Sequence, residues 1–431
     1  MRLLYLTAGA AEMYCGTCLR DNALAAALIR RGHDVVLTPI YTPTTTDEPN
    51  VSVNKVLFGG VSVFLEQHVP VFRRTPAFLD WVWDSTPMLK LAAKRQIKVD
   101  PAVLGDMTVS MLKGVDGYQR KEFRKMVRWV TGEGRFDAVN IPLTMLIGLA
   151  RPLRDALGVP VGCTMAGDEL FLENLHEPWK SQALALIRRH VGDVDVFIAV
   201  SEYCARFMAE YLTIPPERIR VVPLGITIDG HDVTPMRSSP PYTVGYFARV
   251  APEKGLHVLV EAYRRVVERP GVPPTRLVAA GYLLDEHRDY LHAIEARLLE
   301  WDLDDQFRYA GAPDRAGKLA LLQEMDVMSV PATYDEPKGL SLLEAMASGR
   351  PLVVPDRGAF REIVTNTGGG LLVRPDDPDA LADGLFALLT DRTRAADFGR
   401  AGAAGVRRLY TADTMAAAAE RVFGDLVSGS H

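Results

Sequence analysis

Short, mainly apolar runs alternate with longer amphipathic stretches along the first half of the chain. The runs cover residues 3–7, 35–39, 138–141, 160–164 and 196–200. Parallel strands that are buried on both faces read as continuous apolar runs, and helices fill the stretches between them. The chain opens with a strand, a glycine-bearing loop, a helix from about Thr17 to Arg31 and a second strand. This order predicts a doubly wound α/β domain.

The alternation stops near residue 228 and restarts at Tyr242. Residues 229–241 read DGHDVTPMRSSPP, a segment that is rich in Pro and Ser and has no hydrophobic period. A chain of 431 residues is also too long for one ordinary core. We therefore predict an N-terminal domain over 1–228, a linker over 229–241, a second α/β domain over 242–411, and a last helix over 412–431 that returns to the first domain.

The region from about residue 60 to 130 departs from this alternation, and we expect a mainly helical insertion there. Near its end, YQRKEFRKMVRWV places basic residues along one face. We interpret this face as solvated, with an acceptor site or a docking patch for anionic lipid as the alternative. The basic residues are Arg120, Lys121, Arg124, Lys125 and Arg128.

The stretch from residue 331 to 351 places two carboxylates in a setting that packing alone does not explain. Its pattern predicts a helix over about 338–348, and Glu344 falls on the apolar face of that helix. A buried carboxylate is costly without a polar partner, and the sequence shows no obvious one for Glu344. Glu336 precedes it by eight residues, just before the first turn. Both carboxylates are therefore candidates for ligand contact.

Gly339 lies between these carboxylates, where it allows a ligand to approach the backbone closely. The free amides of Gly339, Leu340 and Ser341 at the start of the helix predict an anion-binding site. Glu336 and Glu344 are then placed to hold the two ends of one elongated ligand. The alternative is an amphipathic helix whose glutamates are a cap and a core ion-pair partner.

Two basic residues follow the first strand of the second domain. YTVGYFARVAPEKG reads as a strand, a turn and the start of a helix near Leu256. Arg249 and Lys254 then lie near the positive end of a helix dipole, which is unfavourable unless an anion binds there. Pairing with Glu253 or another acid is the alternative. Together with the amides near Gly339, the two cations would surround a diphosphate.

Three glycines are further candidates for close contact with a ligand. Gly16 lies in the loop after the first strand. Gly281 and Gly311 end strands at the edge where open α/β sheets bind their ligands. Ordinary strand-end turns explain Gly281 and Gly311 equally well.

Composition is that of an ordinary globular protein, with 48% apolar and 24% charged residues and a formal charge of −5. This balance gives no electrostatic footprint for nucleic acid. The charge-free stretches, such as 138–150, are too short to span a membrane. The apolar core at the start of the chain is too short for a signal peptide, so we expect a cytoplasmic protein or one at the inner face of the membrane.

Four cysteines do not make a disulfide framework in a chain of this size, which fits a reducing compartment. Cys15 and Cys18 form a Cys-x-x-Cys at the start of a helix. A redox or metal site is one interpretation of this pair, and small loop residues are the other. No cluster of metal ligands is evident elsewhere, so we expect no metal and no cofactor.

The Glu-x7-Glu spacing in EPKGLSLLEAMASGRP and the Arg…Glu-Lys-Gly of ARVAPEKG resemble signatures of the family 4 retaining glycosyltransferases. That family has the GT-B fold, in which two Rossmann-like doubly wound α/β domains face a cleft. The resemblance implies that Glu336 touches the donor sugar or the reacting centre and that Glu344 binds the ribose of a nucleotide sugar. It also implies that Arg249 and Lys254 hold the donor diphosphate.

The sequence departs from the family pattern at two positions. Family members often carry a histidine before Gly-Asp in the segment CTMAGDELFL, and here that position is Ala166. Asp168, Glu169 or a residue of the insertion would then have to assist at the reacting centre. Where the family usually has an asparagine, VVPLGI carries Leu224.

The resemblance implies an enzyme that moves a hexose from a nucleotide-diphosphate sugar to an acceptor hydroxyl with retention of configuration. A UDP-sugar is the favoured donor and a GDP-sugar the next, and the acceptor on the first domain is a glycan, a lipid-linked sugar or a small molecule. A phosphorylase or a sugar-nucleotide epimerase would use the same phosphate groups. A non-catalytic relative that binds nucleotide sugars is the remaining alternative.

Overall fold

The computed structural model describes residues 1–9, 15–58, 63, 66–67 and 101–429. Most of the expected helical insertion, up to residue 100, lies outside the described residues. The chain divides into two compact units. The first comprises Met1–Val222 with Ala416–His431, and the second comprises Pro223–Met415.

A six-stranded parallel sheet forms the centre of the first unit, in the order β2-β1-β3-β4-β5-β6. Leu3 of β1 pairs with Val35 on one side and with Ala138 on the other. Every position of β4 and β5 is buried, as expected for strands covered on both faces. The strands are β1 (Arg2–Thr7), β2 (Asp34–Pro39), β3 (Ala138–Ile141), β4 (Val161–Met165), β5 (Val196–Ala199) and β6 (Ile219–Val221).

Helices connect these strands and supply the apolar side chains that cover the sheet. Two of them belong to the C-terminal part of the expected insertion, Pro101–Leu112 and Arg120–Gly132. The last helix of the chain, Ala412–Ser428, begins in the second unit and ends in the first. Its Phe423 packs edge-on against Tyr5 of β1, with 6.3 Å between the ring centroids. The other helices are Gly16–Arg30, Ala150–Leu157, Glu169–Glu173, Trp179–His190 and Glu202–Leu212.

The second unit repeats this plan with a parallel sheet in the order β12-β11-β10-β7-β8-β9. The prediction of two parallel-sheet α/β domains is therefore confirmed. The strands are β7 (Tyr242–Phe247), β8 (Thr275–Ala280), β9 (Phe307–Tyr309), β10 (Val327–Met328), β11 (Leu352–Pro355) and β12 (Gly370–Val373). The helices are Leu256–Val267, Arg288–Glu300, Arg315–Glu324, Leu340–Ala347, Gly358–Thr367, Pro378–Thr390 and Arg392–Leu409.

The strand order of the second sheet reverses beside β7. The chain runs from β7 to β8 and β9 on one side, and then crosses over to β10, β11 and β12 on the other. Loops that leave the carboxyl ends of β7 and β10 must therefore diverge. Open α/β sheets bind their ligands in the crevice at such a reversal.

The segment 229–241, predicted from its composition to be a linker, is packed onto the second unit. The buried His231 contacts Ser348 through its ring Nδ1, at 2.9 Å from the hydroxyl. Arg350, which is 1% exposed, donates to the carbonyl of Thr234 at 3.1 Å and also bonds its hydroxyl. The same guanidinium donates to the carbonyls of Met325 and Ser348. One buried side chain thus ties this segment to two other parts of the domain.

We expect Arg350→Ala to lower the free energy of unfolding by about 3 kcal/mol, because it leaves buried carbonyls without a donor. Urea denaturation would measure the change. Arg361→Ala is the matched control, since Arg361 forms an exposed ion pair with Asp356 at 2.7 Å. The control should change stability by less than about 0.5 kcal/mol. Equal effects of the two substitutions would contradict the role given to Arg350.

Candidate functional site

The candidate residues of the second domain gather at the strand reversal, after β7 and β10. The turn that carries Lys254 packs directly on the segment that leads to Glu336. The Thr333 amide donates to the carbonyl of Glu253 at 2.9 Å. Gly255 has a φ of +75°, and a Cβ there would lie 1.8 Å from the carbonyl oxygen of Pro331. Glycine is therefore required at this position by both conformation and space.

Lys254, Tyr334 and Glu336 form one contact group at this edge. The Lys254 ammonium donates to the Tyr334 hydroxyl at 2.7 Å and forms an ion pair with the carboxylate of Glu336. The Tyr334 hydroxyl bonds the same carboxylate, and its ring lies 4.9 Å from the ammonium. Tyr334 therefore holds the cation and the carboxylate in one arrangement. Sequence reasoning missed Tyr334, although it stands only two residues before Glu336.

Glu336 is 6% exposed, and its environment keeps it ionised. Burial alone would raise the pKa of this carboxyl. The charges of Lys254 and Lys338, with the hydrogen bonds from Lys254 and Tyr334, instead lower the pKa of Glu336 from its usual 4.5 to about 2. The site thus presents a fixed carboxylate that accepts hydrogen bonds at neutral pH.

Arg249 forms an ion pair with Glu253 at the entrance to the same turn. From the sequence, Arg249 and Lys254 are cations that need a bound anion, with pairing to Glu253 or another acid as the alternative. In the structure both cations have carboxylate partners, so their repulsion is relieved without a ligand. A lysine ammonium has three N–H donors. Tyr334 and Glu336 accept two of them, and no described residue accepts the third.

The helix after Glu336 runs from Leu340 to Ala347, two residues shorter at its start than predicted. Gly339 is the N-cap residue and has a φ of +71°, a left-handed conformation that ends any helical path from Lys338. No side chain caps this end. Within the described part of the chain, the amides of Gly339, Leu340 and Ser341 donate no hydrogen bond. These amide donors and the positive end of the helix dipole favour the binding of an anion at this helix N-terminus.

Glu344 has the polar partner that the sequence did not reveal. Lys318, on the helix Arg315–Glu324, donates to the Oε1 of Glu344 at 2.7 Å, and both side chains are buried. Lys318 lies three and four residues before the buried Leu321 and Leu322. A lysine on the apolar face of a predicted helix is therefore the signal that could have identified it.

Gly281 and Gly311 lie side by side after β8 and β9. The Gly281 amide donates to the carbonyl of Gly311 at 2.8 Å. A Cβ at Gly281 would lie 1.8 Å from the carbonyl oxygen of Ala248, next to Arg249. Backbone packing alone therefore explains Gly281. A Cβ at Gly311 would meet nothing within 4 Å, so this glycine borders open space, at a φ of +72°.

The candidates of the first domain have structural partners of their own. Asp168 is 2% exposed and accepts hydrogen bonds from the amide and the hydroxyl of Thr144, both at 2.6 Å. Asp168 thereby joins the loops that follow β3 and β4. Gly16 begins the helix Gly16–Arg30, next to residues 10–14, which lie outside the described part. Ala166 and Leu224, where the family pattern differs, are both buried.

The cysteine pair forms no disulfide, since all four cysteines are present as thiols. A hydrogen bond with Cys15 and burial raise the pKa of Cys18 well above its usual value. A thiol in this state is a poor nucleophile and a poor metal ligand. The described residues contain no group of three or more His, Cys, Asp or Glu side chains arranged to hold a metal ion.

We expect Glu336→Gln to remove a pH-dependent part of the stability. Because the pKa of Glu336 is lowered, its carboxylate stabilises the fold above about pH 4.5, and that contribution is lost as pH falls toward 2. The wild type should exceed the variant by up to about 3 kcal/mol near neutral pH, and by less at each lower pH.

Urea denaturation at pH 6, 4 and 3 would test this difference. Glu268→Gln is the control, since Glu268 forms an exposed pair with Arg264 at 2.9 Å. A wild-type advantage over Glu336→Gln that stays constant across the three pH values would overturn the assignment.

Two family models match most of the chain. The one described as "Glycosyl transferase 4-like domain" matches residues 20–225, and the one described as "Glycosyl transferases group 1" matches residues 235–404. The second match contains Arg249, Lys254, Glu336 and Glu344. Residues 226–234, within the segment between β6 and β7, separate the two matched regions.

Several curated relatives match part of the chain. A phosphatidyl-myo-inositol mannosyltransferase of Mycobacterium tuberculosis is 34% identical over 241 residues, which are 54% of this chain and 60% of that protein. A lipopolysaccharide core biosynthesis mannosyltransferase of Rhizobium meliloti is 30% identical over 43% of this chain and 52% of its own length. This chain thus spans only about half to three fifths of the length of these relatives.

Solved structures with the same fold match nearly the whole chain. HepE of Anabaena, in complex with UDP, superposes with a TM-score of 0.69 and 17% identity over 99% of this chain and 100% of that one. Sucrose-phosphate synthase of Thermosynechococcus elongatus gives the same TM-score and identity over 99% of each chain. At this identity the likeness concerns the fold. With the paired family models and the Glu-x7-Glu site, it places the chain in the family 4 glycosyltransferases of GT-B fold.

Proposed function

We propose that this protein transfers a hexose from a nucleotide-diphosphate sugar to an acceptor hydroxyl, with the donor bound in the second domain. The observation that carries the proposal is the set of cations and unbonded amides at the strand reversal. Arg249 and Lys254 follow β7, and the amides of Gly339 to Ser341, which bond to no acceptor among the described residues, follow β10. A diphosphate placed among them would receive hydrogen bonds from both segments.

The diphosphate is the leaving group of the proposed reaction, and negative charge grows on it as the sugar departs. Preorganised cations and amides that face such charge stabilise the transition state, and this stabilisation is often the main source of rate enhancement. Lys254 can bind a phosphate oxygen with its third N–H and keep its bonds to Tyr334 and Glu336. Arg249 would exchange Glu253 for the diphosphate or bridge the two. The protein then provides the charge that a divalent cation supplies elsewhere, and we expect turnover to survive EDTA.

Glu336 is the group proposed to contact the donor sugar. Its pKa of about 2 makes it an acceptor of hydrogen bonds from sugar hydroxyls at every physiological pH. A carboxylate held by Lys254 and Tyr334 is fixed before the donor binds, so it can orient the sugar without reorganisation. We propose that the acceptor attacks from the face that the diphosphate leaves, which retains the configuration of the sugar.

The names of the relatives are consistent with a hexose donor, since several are mannosyltransferases. We propose UDP as the nucleotide first and GDP second. The contacts of the donor site do not identify the class of acceptor. A non-catalytic relative is the alternative that one observation favours, because buried Ala166 and Leu224 replace the polar residues that the family pattern predicts.

A thermal-shift panel with UDP, GDP, ADP, CDP and NAD, without added metal, would test the donor site first. A ligand at 100 times its dissociation constant adds about 2.7 kcal/mol of stability, or a shift of several degrees. One nucleoside diphosphate should stand out. If none does, or if NAD alone does, the proposed function fails. Nucleotide release from the matching sugar donor then separates an enzyme from a non-catalytic binder.

We expect Lys254→Ala to lower turnover by roughly two to three orders of magnitude, the loss typical of one preorganised charge donor. The assay is release of the nucleoside diphosphate from its sugar donor. Arg264→Ala is the matched control, because Arg264 lies on the next helix of the same domain and is 41% exposed. Full activity in Lys254→Ala would show that Lys254 does not bind the diphosphate.

The helix Arg120–Gly132 supports a proposal of peripheral membrane contact. Arg120, Arg124 and Arg128 are exposed at helical spacing, whereas Lys121 and Lys125 are half-buried. Just before the helix, Val115 and Tyr118 are exposed by 44% and 42%. Exposed arginines beside exposed apolar side chains fit an anionic lipid surface. In the described part of the chain, no helix is both long and apolar enough to cross a membrane.

Co-sedimentation with vesicles of phosphatidylglycerol and of phosphatidylcholine would measure this contact. Reversing Arg120, Arg124 and Arg128 to Glu should weaken binding to the anionic vesicles by about 100-fold or more, at about 1 kcal/mol per basic residue. The control reverses three exposed arginines of the second domain, Arg361, Arg394 and Arg400. Equal losses in the two variants would indicate net charge alone and contradict a docking helix.

A further inference from the structure

The buried ion pair of Lys318 and Glu344 joins two helices of the second domain. Lys318 belongs to the helix Arg315–Glu324, and Glu344 to the helix Leu340–Ala347, whose N-terminus carries the unbonded amides. The side chains are 6% and 8% exposed, and the ammonium nitrogen lies 2.7 Å from Oε1 of the carboxylate. Each charge thus has its counter-charge inside the domain.

Stability alone does not explain a pair of this kind. Two charges lose their hydration on burial, and apolar residues of similar volume often replace such a pair with no loss of stability. Leu321, Leu343 and Ala347, which lie near the pair on the same two helices, are also buried. A buried ion pair among them indicates a use for the carboxylate beyond packing.

The position of Glu344 suggests that use. It lies four residues after Leu340, or about 6 Å further along the helix axis at 1.5 Å per residue. With the diphosphate at the helix N-terminus and the sugar at Glu336, as proposed above, the ribose of the nucleotide lies on the side of Glu344. An ionised carboxylate with a fixed orientation is a strong acceptor for ribose hydroxyls.

We propose that Lys318 is a positioning residue that holds the Glu344 carboxylate ionised and oriented for the ribose of the donor nucleotide. The inference rests on the proposed function, because it assumes a nucleotide in this domain. Lys318 itself acts through Glu344: its ammonium fixes one oxygen by a charge-assisted hydrogen bond. Without that cation, the carboxylate loses the charge-assisted hydrogen bond that fixes its rotamer.

Binding of ribonucleoside diphosphates and their 2′-deoxy counterparts tests the inference. Calorimetric titration would use UDP, GDP, ADP and CDP, each against its deoxy form. A hydrogen bond to a charged group predicts that the wild type binds the ribo form about 10-fold to 100-fold more tightly. In Lys318→Met this preference should fall to about threefold or less, while affinity for the deoxy form changes little. Lys318→Arg, which keeps the charge, should restore part of the preference.

A second ion pair in the same domain provides the matched control. Arg392 donates to Asp326, which is 1% exposed and directly precedes β10 at the amino end of the sheet, away from the ligand edge. Arg392→Met removes a buried charge partner and should lower the thermal midpoint, yet keep the wild-type ribose preference. A purely structural role for Lys318 predicts the same result for Lys318→Met, and that result would overturn the inference.

The double variant Lys318→Met, Glu344→Leu covers the case in which the single variant does not fold. It removes both charges, so its thermal midpoint should approach that of the wild type, and it should show no ribose preference. A double variant with the wild-type preference would refute the role of the pair. A wild type that binds diphosphates without ribose preference also refutes it and leaves the diphosphate site standing. A wild type that binds none of the probes refutes the proposed function as well.

Discussion

The contact between Lys254 and Glu336 is the interaction on which the candidate site depends. It joins the loop after β7 to the loop after β10, two segments that the strand reversal sends in opposite directions. The contact is supported by Gly255, which leaves room for the carbonyl of Pro331, and by Tyr334, which bonds both charged groups. Burial raises the pKa of this carboxyl, and the charges of Lys254 and Lys338 with the hydrogen bonds from Lys254 and Tyr334 outweigh that effect and keep it ionised.

Two carboxylates, one just before and one within the same short helix, are each paired with a lysine. Glu336 precedes the helix Leu340–Ala347 and is held by Lys254, and Glu344 lies inside the helix and is held by Lys318. Between them are amides that make no hydrogen bond within the described residues. A row of carboxylate, free amides and carboxylate suits a ligand with hydroxyls at both ends and a phosphate group in the middle. A nucleotide sugar has that order of groups.

Polar side chains are also buried in the first domain. The buried Asp168 accepts two hydrogen bonds from Thr144. Arg20 and Asp21 likewise form a fully buried pair at the start of the helix Gly16–Arg30. These contacts hold loops in place. The proposed donor contacts all lie in the second domain.

The sequence by itself determined the two α/β domains and identified the residues of the proposed donor site. Apolar runs of strand length fix the parallel sheets, because strands covered on both faces need apolar side chains at nearly every position. The Glu-x7-Glu and Arg…Glu-Lys-Gly motifs are local in the chain, so spacing reveals them. Only the tertiary structure decided the partners of those residues: Lys318 for Glu344, Tyr334 and Glu336 for Lys254, and Arg350 for the segment 229–241. Most of these contacts join residues far apart in sequence. The local pattern of apolar and polar residues does not specify which buried charges will pair.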